Sequence, residues 1–261
     1  MALTSDFAMD VRPLVVAHRG ASTAYPENTL ESFQGAIEAG ADVVETDVRL
    51  TSDGVAVVLH DQDLARTTDG TGLVGELTLS ELKRLDASGG AGPRAEIPTL
   101  REVLELVSGR AGINLEIKNI PGEVAFDSPK EAAVTAALEE LERTSFSGSV
   151  LVSSFNWITI ERSRELAPEI PTGFLTIAAI APEAALVYAR RHGHEFVLPS
   201  VTALVPAGEG FVRDAHDAGR RVGTWTVDDP DEARRLFEWG VDAIATNDPG
   251  SILAVRDGSR S

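Results

Sequence analysis

The chain of 261 residues contains no cysteine. That excludes disulfides, thiolate zinc sites and a cysteine nucleophile, and leaves the redox compartment open. Positive charge is scarce as well: 23 Lys and Arg stand against 41 Asp and Glu, for a formal net charge of −18. With a pI near 4.6 there is no basic stripe to meet nucleic acid, and an anionic membrane surface is an equally poor partner. No apolar run approaches the ~18 residues of a membrane span. The N-terminal residues 1–13, with Asp6 and Asp10, hold no apolar core of signal-peptide length. The expectation is a cytoplasmic protein with neither a nucleic-acid partner nor a stable membrane association. Hydrophobic residues at 43% and charged residues at 25% are ordinary globular values, so a disordered chain is excluded.

What is present is an alternation. Short β-rich runs occupy residues 14–17, 43–48, 113–117, 150–152, 173–177, 195–198, 222–227 and 243–245. They are too short and too β-branched to be buried helices. Each leads toward an amphipathic segment opened by a cap and closed by glycine. The first such segment takes Asn28 as N-cap with Glu31 three residues on, and Gly40 as its stop; a second starts from Thr99 and ends before Gly109. Pro129, Pro182, Pro230 and Pro249 sit near helix starts, with Asp229 and Asp248 as natural N-caps.

Eight strands alternating with eight helices in about 250 residues imply an α/β fold, a (β/α)8 TIM barrel. A doubly wound open sheet competes, but no G-x-G-x-x-G or P-loop pattern is present to support it. Residues 1–261 are expected to form one domain. The exception to the alternation is a small insertion after the second strand: residues 51–98 form a hairpin and an inserted subdomain on the catalytic face. Residues 256–261 read as a frayed tail.

In a barrel, side chains at the C-terminal ends of the strands converge. Those ends carry His18 and Arg19, then Glu45 and Asp47, then Glu116 and Lys118; later ends offer Ser153, Ser154, Trp225 and Asn247. Period-two alternation sets Glu45 and Asp47 on one face, and Glu116 and Lys118 likewise. Three converging carboxylates need neutralising. A hard divalent cation does so and leaves positions open for substrate; a salt-bridge network with Arg19 and Lys118 is the plainer alternative.

His60 adds to this set. Asp53-Gly54 between two β-rich runs signals a hairpin. A turn near residues 52–53, with a bulge at Gly54, sets His60 opposite Glu45 and returns a second histidine to the mouth that holds His18. Two histidines at one acidic site suggest a general acid and a general base. His192 and His194 flank Gly193 at a helix end, where a cation suits the dipole, and His216 lies on a helix. A His-x-His metal site at 192 and 194 is the sharper alternative, without nearby partners at metal-site spacing. Trp225 is either packing or a wall of the pocket. A hard metal on three carboxylates, two cations and two histidines together suit phosphoryl chemistry at an anionic ester.

These residues also form a family pattern. His18-Arg19-Gly20, Pro26-Glu27-Asn28-Thr29, Glu45-Thr46-Asp47-Val48, Asp53-Gly54 and His60-Asp61 resemble the glycerophosphodiester phosphodiesterase family. So do Arg66-Thr67-Thr68-Asp69-Gly70, Ile97-Pro98-Thr99-Leu100, Glu116-Ile117-Lys118 and Trp225-Thr226-Val227, in the family's order, from about residue 13 to 255. The resemblance implies hydrolysis of glycerophosphodiesters to sn-glycerol 3-phosphate and an alcohol. It implies one divalent cation, Mg2+ or Ca2+, held by Glu45, Asp47 and Glu116, with His18 and His60 as the catalytic pair. Arg19 and Lys118 fall on its phosphate-facing cations, and Trp225 carries over as a substrate contact. The expected mechanism has the substrate's glycerol hydroxyl attack phosphorus, with His18 as base and His60 as acid; direct attack by water is the alternative. A lysophospholipase D-like activity on the same scaffold is the first rival. It needs an apolar entrance, and the Gly-rich stretch 87–98 offers little apolar material for one. A silent barrel that binds a phosphorylated ligand, or a pure scaffold, leaves the convergent site unexplained.

Overall fold

The computed structural model describes residues 12–90 and 92–258. The reading of the extreme N-terminus therefore falls mostly outside the described residues. In chain order the elements are β1 (Leu14–Ala17), α1 (Leu30–Ala39), β2 (Val43–Leu50), β3 (Ala56–Val58), a 3-10 turn (Val74–Glu76), α2 (Leu79–Leu82) and α3 (Leu100–Val107). Then follow β4 (Gly112–Ile117), α4 (Ala132–Thr144), β5 (Val150–Ser154), α5 (Trp157–Leu166), β6 (Thr172–Thr176) and α6 (Pro182–His192). The last are β7 (Phe196–Pro199), α7 (Val201–Asp217), β8 (Arg221–Thr224), α8 (Pro230–Glu238), β9 (Ala243–Thr246) and α9 (Pro249–Gly258).

Eight strands pair in parallel in the order β1-β9-β8-β7-β6-β5-β4-β2, and β1 pairs back onto β2. That last pairing closes a (β/α)8 TIM barrel, as expected. Among the strands of the described residues, β3 alone runs antiparallel, against the end of β2. Among the described residues no helix is long and apolar enough to cross a membrane.

Strand parity divides the core. Val15, Ala17, Val44, Val48, Ile113, Leu115 and Ile117 pack outward among the helices. Val16, Val43, Leu151, Leu175, Phe196, Leu198 and Ala243 fill the barrel interior. Leu198 occupies space that its neighbours give up. A Cβ at Gly173 or Gly223 would stand 2.6 or 2.7 Å from its methyl groups, so the strands on both sides of β7 carry no side chain there. Above this apolar floor the inward positions turn polar, and the site begins.

Several local expectations hold. Thr99 caps α3, with Glu102 reaching back to complete a capping box. Pro182, Pro230 and Pro249 open their helices, and Asp229 and Asp248 accept from the first-turn amides. Others need correction. The N-cap of α1 is Thr29, whose hydroxyl accepts from the amide of Ser32, not Asn28. Asn28 has φ +60° and turns its buried side chain to another task, described below. Pro129 does not open a helix: its bond to Ser128 is cis and α4 starts at Ala132. Residues 256–258 are not frayed, because α9 runs to Gly258 and the buried Arg256 guanidinium bonds the Asp42 carboxylate and the Pro13 carbonyl. Residues 259–261 lie outside the described set.

Candidate active site

β1 ends at Ala17, and the chain then turns sharply through His18-Arg19-Gly20. Arg19 sits in the left-handed region at φ +58°, and Gly20 follows at φ +84°. A side chain at Gly20 would drive into the backbone of Ser32, 2.6 Å away, so the turn can lie flat on α1 only with glycine there. The turn aims the Arg19 amide at Glu45 Oε2, 2.8 Å away. The Arg19 guanidinium bonds Glu27 at 3.0 Å and lies 3.4 Å from Asp47.

β2 and β4 are adjacent, with Glu45 beside Asn114 and Asp47 beside Glu116. Parity turns Glu45, Asp47 and Glu116 inward, as expected, and one ligand oxygen from each lies within 4.8 Å of the others. All three are buried. Lys118, just beyond β4, forms an ion pair with Asp47 Oδ1 at 2.9 Å and donates to Glu116. Asn28 donates to Asp47 Oδ2 at 2.7 Å.

Burial and the repulsion of Asp47 and Glu116 hold the Glu45 carboxyl well above the usual carboxylate range. Burial acts on Asp47 in the same direction, but Lys118 and Arg19 outweigh it and keep it well below that range. The same pairing raises Lys118 against its own burial. Three acids and two cations leave one negative charge without a partner, and Glu45 carries the strain. Glu45 Oε1 and Asn28 Oδ1 are buried without hydrogen-bond partners.

The hairpin pairs Val48 with Val58, Arg49 with Val57 and Leu50 with Ala56, and the Leu59 amide extends the ladder to the Asp47 carbonyl at 3.0 Å. Continued by one step this register sets His60 level with Thr46, one residue from the expected Glu45, and brings it to the cavity lined by His18, Arg19, Glu45, Glu116, Lys118 and Trp225. Arg49 clamps the His60 carbonyl through two N–H groups at 2.9 and 2.7 Å. The His60 ring bonds the Asp61 carboxylate through Nδ1 at 2.6 Å. Arg66 then bonds both Asp61 and Glu27, so a chain of alternating charge runs from His60 through Asp61, Arg66 and Glu27 to Arg19. Those bonds pull Asp61 down to about 2 despite its partial burial. Burial lowers His60, with the nearby Asp47 charge offsetting part of the effect. Burial and then the Arg19 charge lower His18, while its bond to Asn247 works the other way.

Trp225 is both packing and wall. Its indole N–H donates to the Leu198 carbonyl at 2.9 Å, its ring meets Phe155 edge-on at 5.3 Å, and it lines the cavity. Ser153 and Ser154 serve the strands, donating to Asn114 and to the Ile117 carbonyl. The remaining histidines stay out of the site. His194 is fully buried, bonds Thr172, and is pushed by burial down to about 4, so it is a neutral core residue rather than a cation at a helix end. His192 pairs with Glu161 at 2.9 Å and His216 with Asp242 at 2.8 Å. Among the described residues the three-carboxylate group alone has the makings of a metal cluster with carboxylate or histidine ligands, which removes the 192/194 alternative.

Local sequence gave no role at the site to Arg49, Asp61 or Arg66, and it pointed Asn28 to the wrong task. Asp61 and Arg66 stand in the family motifs; Arg49 carries no local signal.

Comparison with known proteins follows the same pattern. The model of the glycerophosphoryl diester phosphodiesterase family matches residues 18–251. A glycerophosphodiester phosphodiesterase of Caldanaerobacter subterraneus is 36% identical over 249 residues, covering 93% of this chain and 97% of that protein. One from Bacillus subtilis is 33% identical over 95% of this chain and 87% of its own length. Among solved structures, an Oleispira antarctica phosphodiesterase in complex with the product sn-glycerol-3-phosphate superposes with a TM-score of 0.85 at 34% identity, covering 95% of this chain and 98% of that one. A Thermotoga maritima glycerophosphodiester phosphodiesterase gives 0.76 at 31% identity, over 94% and 98% of the two chains. Fold, strand-end residues and whole-length likeness agree: the chain belongs to the glycerophosphoryl diester phosphodiesterase family.

Proposed function

We propose that the protein is a metal-dependent phosphodiesterase that hydrolyses glycerophosphodiesters to sn-glycerol 3-phosphate and an alcohol, with His18 and His60 moving the protons. The observation that carries this reading is one cavity holding both histidines beside three buried carboxylates whose ligand oxygens lie within 4.8 Å of one another.

The residues fit a hard divalent cation, Mg2+ or Ca2+. The donor set is all oxygen, one negative charge lacks a partner, and Glu45 Oε1 is a buried acceptor with nothing to accept. Glu45, Asp47 and Glu116 would hold the ion, which when bound supplies positive charge to a phosphoryl oxygen. Arg19 and Lys118 keep Asp47 ionised and bring cationic charge to the phosphate side, and Asn28 fixes the orientation of Asp47.

The environments of the two histidines support separate roles. Behind His60 stands the Asp61 carboxylate, which favours an imidazolium; behind His18 stands a neutral amide, with the Arg19 charge close by. His18 therefore takes the proton of the attacking glycerol hydroxyl as its oxygen bonds to phosphorus. His60 gives a proton to the departing alcohol as the ester P–O bond breaks. Water then opens the cyclic phosphate with the roles reversed, which returns both side chains to their starting states.

One observation favours a second reading, lysophospholipase D-like activity. A groove of about 620 Å3 beside His60 and Lys118 is lined by Ile120, Phe155, Leu175, Ile177 and Ile180, the last two exposed. The apolar entrance that the insertion was expected to lack is supplied by loops after β4, β5 and β6. Hydrolysis of a panel of glycerophosphodiesters and lysophospholipids, with and without chelator, tests both readings. The first expects sn-glycerol 3-phosphate from the diesters, lost on chelation. Release of the head-group alcohol from lysophospholipids alone supports the second, and chelator-resistant turnover overturns the metal dependence.

A further inference from the structure

We propose that Asp228 and Asn247 form a positioning pair that fixes the tautomer of His18 and so decides which of its ring nitrogens faces the substrate. The proposal rests on the reading of His18 as proton acceptor and deepens it. The three residues follow three adjacent strands, Asp228 after β8, Asn247 after β9 and His18 after β1, so the barrel sets them side by side although Asn247 and His18 are 229 positions apart.

The Asp228 carboxylate accepts from three donors. Oδ1 takes the Asn247 amide N–H at 2.7 Å and the Thr246 hydroxyl at 2.9 Å; Oδ2 takes the Asn247 side-chain Nδ2 at 2.7 Å. Backbone and side chain of Asn247 are held by one carboxylate, which fixes the amide plane. An ionised carboxylate can only accept, so Asn247 must turn its NH2 toward Asp228. Its Oδ1 then faces His18 Nδ1 at 2.9 Å. An amide oxygen also only accepts, so Nδ1 carries the imidazole proton. Neutral imidazole has a single N–H, and Nε2 is left with its lone pair bare for the substrate's hydroxyl.

Ser22 does not make this choice. Its hydroxyl lies 2.9 Å from the His18 carbonyl and 3.0 Å from Asn247 Oδ1. With the amide flipped, Ser22 would donate to the carbonyl and accept from Nδ2 instead, losing nothing. Asp228 alone forbids the flip, which would press two acceptor oxygens together at 2.7 Å. Asp228 does not line the cavity, so it acts through Asn247.

The test uses metal-loaded protein labelled with 15N-histidine at pH 8, where burial keeps the His18 imidazole neutral, with the His18 signals assigned by their loss in His18→Gln. The native protein is expected to show a protonated Nδ1 and a bare Nε2. Asp228→Asn, whose amide can donate to a flipped Asn247, should populate the opposite tautomer and lower kcat by roughly 10–100-fold with little change in KM. The exchanged pair, Asp228→Asn with Asn247→Asp, rebuilds the donor and acceptor pattern in reverse and should recover the tautomer, and also kcat once the pH is raised enough to offset the carboxylate that then stands behind His18. Asp228→Asn with native tautomer and kcat within about twofold of native overturns the proposal. So does a kcat loss that persists in the exchanged pair while the tautomer stays native, since that marks a structural role. The spectra need no substrate, so a failure of the phosphodiesterase reading shows separately as native protein that hydrolyses no glycerophosphodiester.

Discussion

His60 reaches the site through the return strand of a hairpin, and its carbonyl is clamped by Arg49 while its ring is steadied by Asp61. Because it stands at the open mouth and is partly exposed, His60→Ala removes little core and the fold should persist. Loss of a positioned acid should lower kcat by roughly 10²–10⁴, with a smaller effect on KM. A nitrophenyl ester, whose leaving group needs less protonation, should rescue His60→Ala more than His18→Ala. Measuring both variants on both esters decides this, and equal defects on the two would remove the leaving-group role. Asp61 and Arg66 belong to the same assembly, since they link His60 to the Glu27 and Arg19 side of the cavity.

At the scale of elements, caps and parity place the functional groups. The Thr99–Glu102 capping box starts α3, and that helix buries Leu100, Val103, Leu104 and Val107. Thr99→Ala should cost about 1 kcal/mol, read as a lower denaturant midpoint at unchanged slope, with kcat retained because the cap lies outside the cavity. A loss of activity at full stability would show that α3 communicates with the site in another way. At α1 the cap and the site compete for neighbouring residues: Thr29 opens the helix, and Asn28 is freed to hold Asp47. Both residue types are good N-caps, which is why local sequence could not separate them.

On the scale of the whole molecule, closure of the barrel sums all these placements. β1 pairs with β9 on one side and β2 on the other, and Asp42 fastens the seam by accepting from Arg12 at 3.0 Å, from the Val15 amide at 2.8 Å and from Arg256. The site at the top concentrates negative charge, so a bound cation should stabilise the native state as well as serve catalysis. At about 100 times its dissociation constant, Mg2+ or Ca2+ should contribute about 2.7 kcal/mol, a rise in Tm of roughly 5–10 °C. Glu116→Gln should lose most of that rise and most of the activity together. Full activity of Glu116→Gln after exhaustive chelation would show that the three carboxylates are not the metal site.

The sequence by itself determined what depends on local periodicity and short-range turns. The alternation gave the eight barrel strands, parity turned Glu45, Asp47, Glu116 and Lys118 inward, and the Asp53-Gly54 turn fixed the register that returns His60. Each follows from a two-residue repeat or a hairpin, which the chain carries in its own order. Only the tertiary structure decided what depends on groups brought together from distant strands. It gave Asn28 to Asp47 rather than to α1, tied Arg66 to Glu27, gathered on the loops after β4, β5 and β6 an apolar groove that the insertion does not offer, and set Asp228 and Asn247 behind His18. Closing the barrel makes neighbours of β9 and β1, and no local pattern records which polar side chains will then face each other across that seam.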